Sequence, residues 1–128
     1  MRQQLEVKRN GSAVRNRLMS TLLTYLPGAW IDPRNAELIS LYRLRYRMAM
    51  DEGKFDTALI FLNKILELDP VNVEAKFSKA EIYHRCLNDY ATAIEQYSKV
   101  IRLTASRQDE PSYGKARAAM SELMEMFS

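Results

Sequence analysis

The sequence is short of nearly every residue type that catalysis, metal binding or covalent cross-linking would need. Its 128 residues hold one cysteine, Cys86. No disulfide can close within the chain, and a reducing, cytoplasmic setting is the expectation. There is also one histidine, His84, so no His/Cys set exists to hold a metal. His84 and Cys86 stand two apart on a predicted helix, point to different faces and form no nucleophile–base pair. Cys86 reads as a small apolar core residue. Gly11, Gly28, Gly53 and Gly114 stand singly, which excludes a glycine-rich phosphate loop. No apolar run approaches the roughly 20 residues needed to span a bilayer. Glu122 and Glu125 share a helix face without a pocket or a proton donor beside them. The expectation is a protein that is not an enzyme and carries no cofactor.

Two further absences concern flexibility and charge. Proline and glycine number only four each, against a hydrophobic content of 47%, which argues for a folded, mostly helical chain of a single domain. The net charge of +3 is unevenly spread. Residues 1–47 hold nine Lys/Arg against three Asp/Glu, and residues 48–128 hold ten against thirteen, giving +6 and −3. The front third is basic and the remainder mildly acidic.

What the sequence does contain is an echo. Gly53–Pro70 opens on a glycine turn, carries Phe55, Ala58, Leu59, Leu62, Ile65 and Leu66 at three- and four-residue steps, and stops at Asp69-Pro70. Asn88–Leu103 repeats it: Phe55, Ala58, Leu59, Leu62, Ile65, Leu66 and Leu68 match Tyr90, Ala93, Ile94, Tyr97, Val100, Ile101 and Leu103, each 35 residues later. A period of this length means stacked supersecondary units, none able to bury its apolar face alone. Ala58 and Ala93, small residues among bulky ones, suit close helix–helix crossings.

Gly53, Phe55, Ala58, Leu62, Leu66 and Asp69-Pro70, followed by Ala80, Tyr83, Tyr90, Ala93, Tyr97 and Ile101, resemble the tetratricopeptide repeat family, whose unit is an antiparallel helix pair of about 34 residues. The resemblance covers roughly residues 36–105. It implies an all-α, right-handed superhelix of antiparallel helix pairs, with a first repeat over 36–70 and a second over 73–105. Because that family is defined by packing positions, the resemblance bears on fold and is nearly silent on ligand.

The remaining segments fit around the repeats. Met1–Asn10 is a frayed helix or a tail, and Asn10-Gly11 a turn. Asn10-Gly11-Ser12 spells a glycosylation acceptor, set aside because no secretory context accompanies it. Ala13–Leu26, with Val14, Leu18, Leu22 and Leu26 at four-residue steps, is an amphipathic helix ended by Pro27-Gly28. A signal or transit peptide is the alternative for this basic front, weakened by Glu6, Ser20, Thr21 and Thr24. The helix is read as packing on the first repeat, within an N-terminal segment over 1–31. Asp32 caps the next helix with Pro33 at its first position, and Trp30 and Ile31 staple the incoming chain. Ala36–Asp51 is a long helix whose register stays open, because Arg43, Arg45 or Tyr46 stands where a small residue is expected. Val73–Cys86 is a regular helix. Asp109 caps a last helix over Ser112–Phe127 that covers the end of the stack, within residues 110–128. Met48, Met50, Met120, Met124 and Met126 are read as adaptable core.

Function then rests on surface. The resemblance implies that the first helix of each pair lines a concave groove. On the first pair that face presents Ser40, Arg43, Arg47 and Met50; on the second, Glu74, Phe77, Ser78, Glu81, His84 and Arg85. The carboxylate clamp of Lys, Asn and Arg found in some family members is not reproduced, since Phe77, Ser78 and Glu81 occupy those places. Arg43 and Arg47 opposite Glu74 and Glu81 suit a mixed-charge protein segment, unless the two arginines are merely solvated. Phe77 is either an apolar anchor for that segment or a packing residue between repeats. The expectation is a protein–protein interaction module: an adaptor, assembly factor or chaperone-like protein. The alternative is nucleic-acid or anionic-surface binding through Arg2, Lys8, Arg9, Arg15 and Arg17, which would weaken steeply with salt.

Overall fold

The computed structural model describes residues 32–128. The helix expected over Ala13–Leu26, the staple of Trp30 and Ile31, and the cations Arg2, Lys8, Arg9, Arg15 and Arg17 lie outside the described residues. Pro33–Ser128 forms one compact unit, in which every element is a helix: α1 (Pro33–Asp51), α2 (Phe55–Leu68), α3 (Val73–Glu81), α4 (Tyr90–Thr104) and α5 (Pro111–Met126). α3 runs on into a π-helical turn, Ile82–Cys86. Sequential helices pack on one another, and α5 also touches α3. The turns joining α1 to α2, α2 to α3 and α3 to α4 are so short that packed neighbours must run antiparallel. Among the described residues no helix is long and apolar enough to cross a membrane.

The helix boundaries follow from local chemistry. α1 starts at Pro33, whose fixed φ and missing N–H suit the first helical position. Asn72 caps α3, its Oδ1 accepting from Ala75 N–H at 2.9 Å. Asp89 caps α4 by accepting from Thr92 N–H at 3.2 Å and from Thr92 Oγ1 at 2.7 Å. The cap of α5 is Glu110, not Asp109: its Oε1 accepts from Ser112 N–H at 3.2 Å, with Pro111 in the first turn.

The 35-residue echo reappears as backbone geometry. α1 ends in a left-handed residue, Gly53 (φ 71°), and the next stop, 35 residues on, is Asn88 (φ 53°). Glycine adopts that region freely, and asparagine is among the few other residues that tolerate it. The two closures differ by one residue. Lys54 N–H donates to Ala49 O at 2.8 Å and Gly53 N–H to Met50 O at 3.1 Å, the usual double closure of a helix ending on a left-handed residue. At the second stop Asp89 N–H reaches back to Tyr83 O at 2.8 Å, one residue further than its counterpart, and Leu87 N–H bonds Ile82 O at 2.9 Å. The second helix of this kind therefore holds one residue more in its last turn. The expectation of a regular helix over Val73–Cys86 is corrected in this respect.

Packing centres on small residues. Ala58, Ala80, Ala93 and Ala116, on four successive helices, have no exposed surface at all. One cluster joins Ala80, Ala93, Tyr97, Val100, Ala116, Ala119 and Leu123 across α3, α4 and α5, with Phe77, Tyr83, Tyr90 and Met120 packed around it. The register of α1, open from sequence, is set by Ile39 and Ala49, both buried; Ala49 supplies the small residue, while Arg45 is exposed. Three methionines expected in the core are on the surface, Met48, Met124 and Met126 being 47%, 62% and 53% exposed. Phe127 is 64% exposed, with its ring edge-on to Tyr90. Met124 and Met126 fall in the last turn of α5, which ends at Met126, and Met48 lies on the exposed side of α1.

Because Ala58 and Ala93 have no exposed surface, Ala58→Leu and Ala93→Leu are each expected to lower stability by about 1–3 kcal/mol through overpacking. Glu95→Ala removes a solvent-accessible pair to Lys99, 3.5 Å long, and a weak attraction to Lys79, and is expected to cost less than about 0.5 kcal/mol. Thermal melts that fail to separate the two classes would contradict these crossings.

Candidate partner-binding face

Two places in the fold gather polar side chains from several helices. The first is a shallow cleft where α1, α2 and α3 meet. Its floor is Leu62 and Ile65 of α2 with Ala75 of α3, all buried. Arg43 and Tyr46 come from α1, and Asn72, Glu74 and Ser78 from the start of α3. The Asn72 cap positions these last residues by fixing where α3 begins. An apolar floor thus lies between an arginine wall and a glutamate wall.

Three of the residues expected to line a groove, Arg43, Glu74 and Ser78, thus meet at one cleft. Ser40 and Arg47 are exposed on α1 and Met50 is half-buried, none of them lining it. Glu81 is half-buried and Arg85 exposed further along α3 and its π-helical extension. Phe77 is half-buried, its ring centroid 5.9 Å from that of fully buried Tyr97. His84 is buried too, only 5% exposed. Both therefore face the α4 side of α3.

The second gathering surrounds His84. Its Nδ1 lies 2.9 Å from Tyr97 Oη, and its Nε2 lies 3.2 Å from Glu122 Oε2 on α5. Arg85 Nη2 donates to the same Glu122 oxygen at 3.4 Å. With the proton on Nε2, Tyr97 Oη–H donates to Nδ1 and Nε2–H faces the carboxylate. Burial pushes the His84 pKa down, Arg85 adds to that, and Glu122 and Glu81 oppose it with the smaller effect. Neutral imidazole is therefore the form the fold favours. Burial, with help from Glu81, pushes the Tyr97 hydroxyl up to about 12, so it stays a donor. Burial and Glu81 also push the half-buried Cys86 thiol up, away from the thiolate that nucleophilic chemistry needs. Among the described residues no His, Cys, Asp and Glu cluster is arranged to hold a metal ion.

α3 has chemically distinct edges. Helical spacing puts Glu74 and Glu81 on one side and Lys76 and Lys79 on the other. Burial lowers the pKa of both lysines, and Lys99 of α4 lowers them further. Sequence reasoning missed the lysine edge and the His84–Tyr97–Glu122 chain. The available signal for the latter was a lone histidine and a tyrosine facing each other across a short helix turn. No protein-family model matches this chain, and no curated protein matches it in sequence.

The His84 chain predicts a pH dependence. With its folded pKa below the unfolded value near 6.5, the contribution of His84 is fully present above that value. It is lost as pH falls through the folded pKa, because the unfolded chain binds the proton more readily. Melting temperature should fall between neutral pH and about pH 5, and His84→Gln should flatten that fall. Tyr97→Phe, which strands a buried imidazole nitrogen, should cost about 1–3 kcal/mol. Glu122→Gln, at an exposed site, should change stability by under about 0.5 kcal/mol.

Proposed function

We propose that this chain is a helical-repeat protein-interaction module of the tetratricopeptide kind, an adaptor, assembly factor or chaperone-like protein without enzymatic activity. In this reading α1–α2 and α3–α4 are two successive helix pairs of a right-handed superhelix and α5 is the cap. A partner segment lies across the first helices of the pairs, over the cleft between Arg43 and Glu74. The observation that carries the reading is the recurrence at 35 residues of three features together: the left-handed stop at Gly53 and Asn88, the aromatic start at Phe55 and Tyr90, and the alanine without exposed surface at Ala58 and Ala93. A stack of such pairs offers an extended surface, and the cleft supplies an apolar floor with charges of opposite sign on its walls. Phe77 takes the role of a packing residue here, since its ring lies against Tyr97.

The test is a comparative pull-down with the tagged chain, read by mass spectrometry. A protein partner recovered by the wild type should be lost with Arg43→Glu and with Glu74→Lys, each weakening the complex by about tenfold or more. Neutralising Arg2, Lys8, Arg9, Arg15 and Arg17 together should leave that capture intact. Recovery of nucleic acid, abolished by the second set and by moderate salt but not by the cleft variants, would replace this reading with the basic-segment alternative.

A further inference from the structure

α1 is apolar on two sides, and only one of them packs against α2. The packed side carries Ile39 and Ala49, with Tyr42 and Tyr46 half-buried. On the other side Leu38, Leu41, Leu44 and Met48 recur at steps of three and four residues, exposed by 40%, 44%, 55% and 47%. A single exposed leucine means little, because much of any protein surface is apolar. Four large apolar side chains in register, along about 15 Å of one helix, form a stripe. The margins of that stripe are basic over its middle. Helical spacing sets Arg45 on one edge and Arg47 on the other, both exposed, and neither is ion-paired to a carboxylate of the described residues. Glu37 and Asp51 stand towards the two ends of the helix.

We propose that this face of α1 docks an acidic amphipathic helix of a partner protein. The apolar row of that helix lies along Leu38, Leu41, Leu44 and Met48, and its flanking carboxylates pair with Arg45 and Arg47. An amphipathic helix buries its apolar face on another helix through three- and four-residue anchors, the spacing present here. Arginine suits the margins because its stem covers apolar surface while the guanidinium grips a carboxylate through two N–H groups. A helix with basic margins is disfavoured by the same two charges. The surface is separate from the cleft between Arg43 and Glu74, since none of the four stripe residues lines that cleft.

The full chain is titrated, by fluorescence anisotropy, with a designed amphipathic peptide of about five helical turns bearing a leucine row and glutamate margins. A second peptide carries lysines in place of the glutamates. The glutamate peptide should bind, and the lysine peptide should bind about tenfold or more weakly. The double variant Leu41→Gln/Leu44→Gln changes only exposed side chains, so its circular dichroism melt should match the wild type while its affinity falls about tenfold or more. Arg45→Glu should narrow or invert the preference between the peptides. Glu74→Gln, in the cleft, should leave peptide binding unchanged, which keeps failure here distinct from failure of the groove reading. Failure of the glutamate peptide to bind, equal binding of the two peptides, or full affinity in the leucine double variant would overturn the proposal. Self-association dispersed by that double variant, without binding of the glutamate peptide, would overturn it in favour of a second copy of this chain.

Discussion

The hydroxyl of Tyr97 has no exposed surface around it and must be satisfied from within. A buried phenol without a partner costs more than a typical core hydrogen bond contributes net. Here the partner is His84, whose far nitrogen then needs its own acceptor and finds it in Glu122. One hydrogen bond and one close nitrogen–carboxylate contact thus run from α4 through the π-helical turn to α5. The rings add to this, since Phe77 and His84 both lie against Tyr97, the latter nearly perpendicular to it at 87°. Where α3 ends, how α4 starts and where the last helix sits all meet at one tyrosine.

The alanine crossings are the second constraint, and they explain why the fold was largely legible in the sequence. A repeat of small and large residues is fixed by what each helix must press against, so Ala58 and Ala93 marked buried positions of α2 and α4 in the sequence itself. Gly53 announced the first helix stop for the same reason, since its left-handed φ favours glycine strongly. Asn88 carried a weaker version of that signal. What did not show was the additional residue in the last turn of the α3 extension. A π turn is made by backbone hydrogen bonds that no side-chain period encodes, and Val73–Cys86 reads as an ordinary helix. The exposed Met48, Met124 and Met126 were illegible for another reason: periodicity identifies an apolar face but not whether anything lies over it.

Legibility of the candidate site was more uneven. Arg43, Glu74 and Ser78 were placed on one surface by helical spacing, and the cleft brings these three together. Phe77 and His84 were assigned to the same surface and lie inward instead. A shift of one residue turns a helix by about 100°, enough to exchange a groove position for a core position. The charges are informative about partners only as a pair of walls: arginine on α1, glutamate on α3. They define a class of partner segment and not an individual.

If α3, α4 and α5 stand as one unit around Tyr97, native-state hydrogen exchange will read it. The slow amides of the three helices should open together, with a common free energy that Tyr97→Phe lowers in all three. Amides of α5 that exchange early and independently, unmoved by Tyr97→Phe while α4 alone responds, would contradict it.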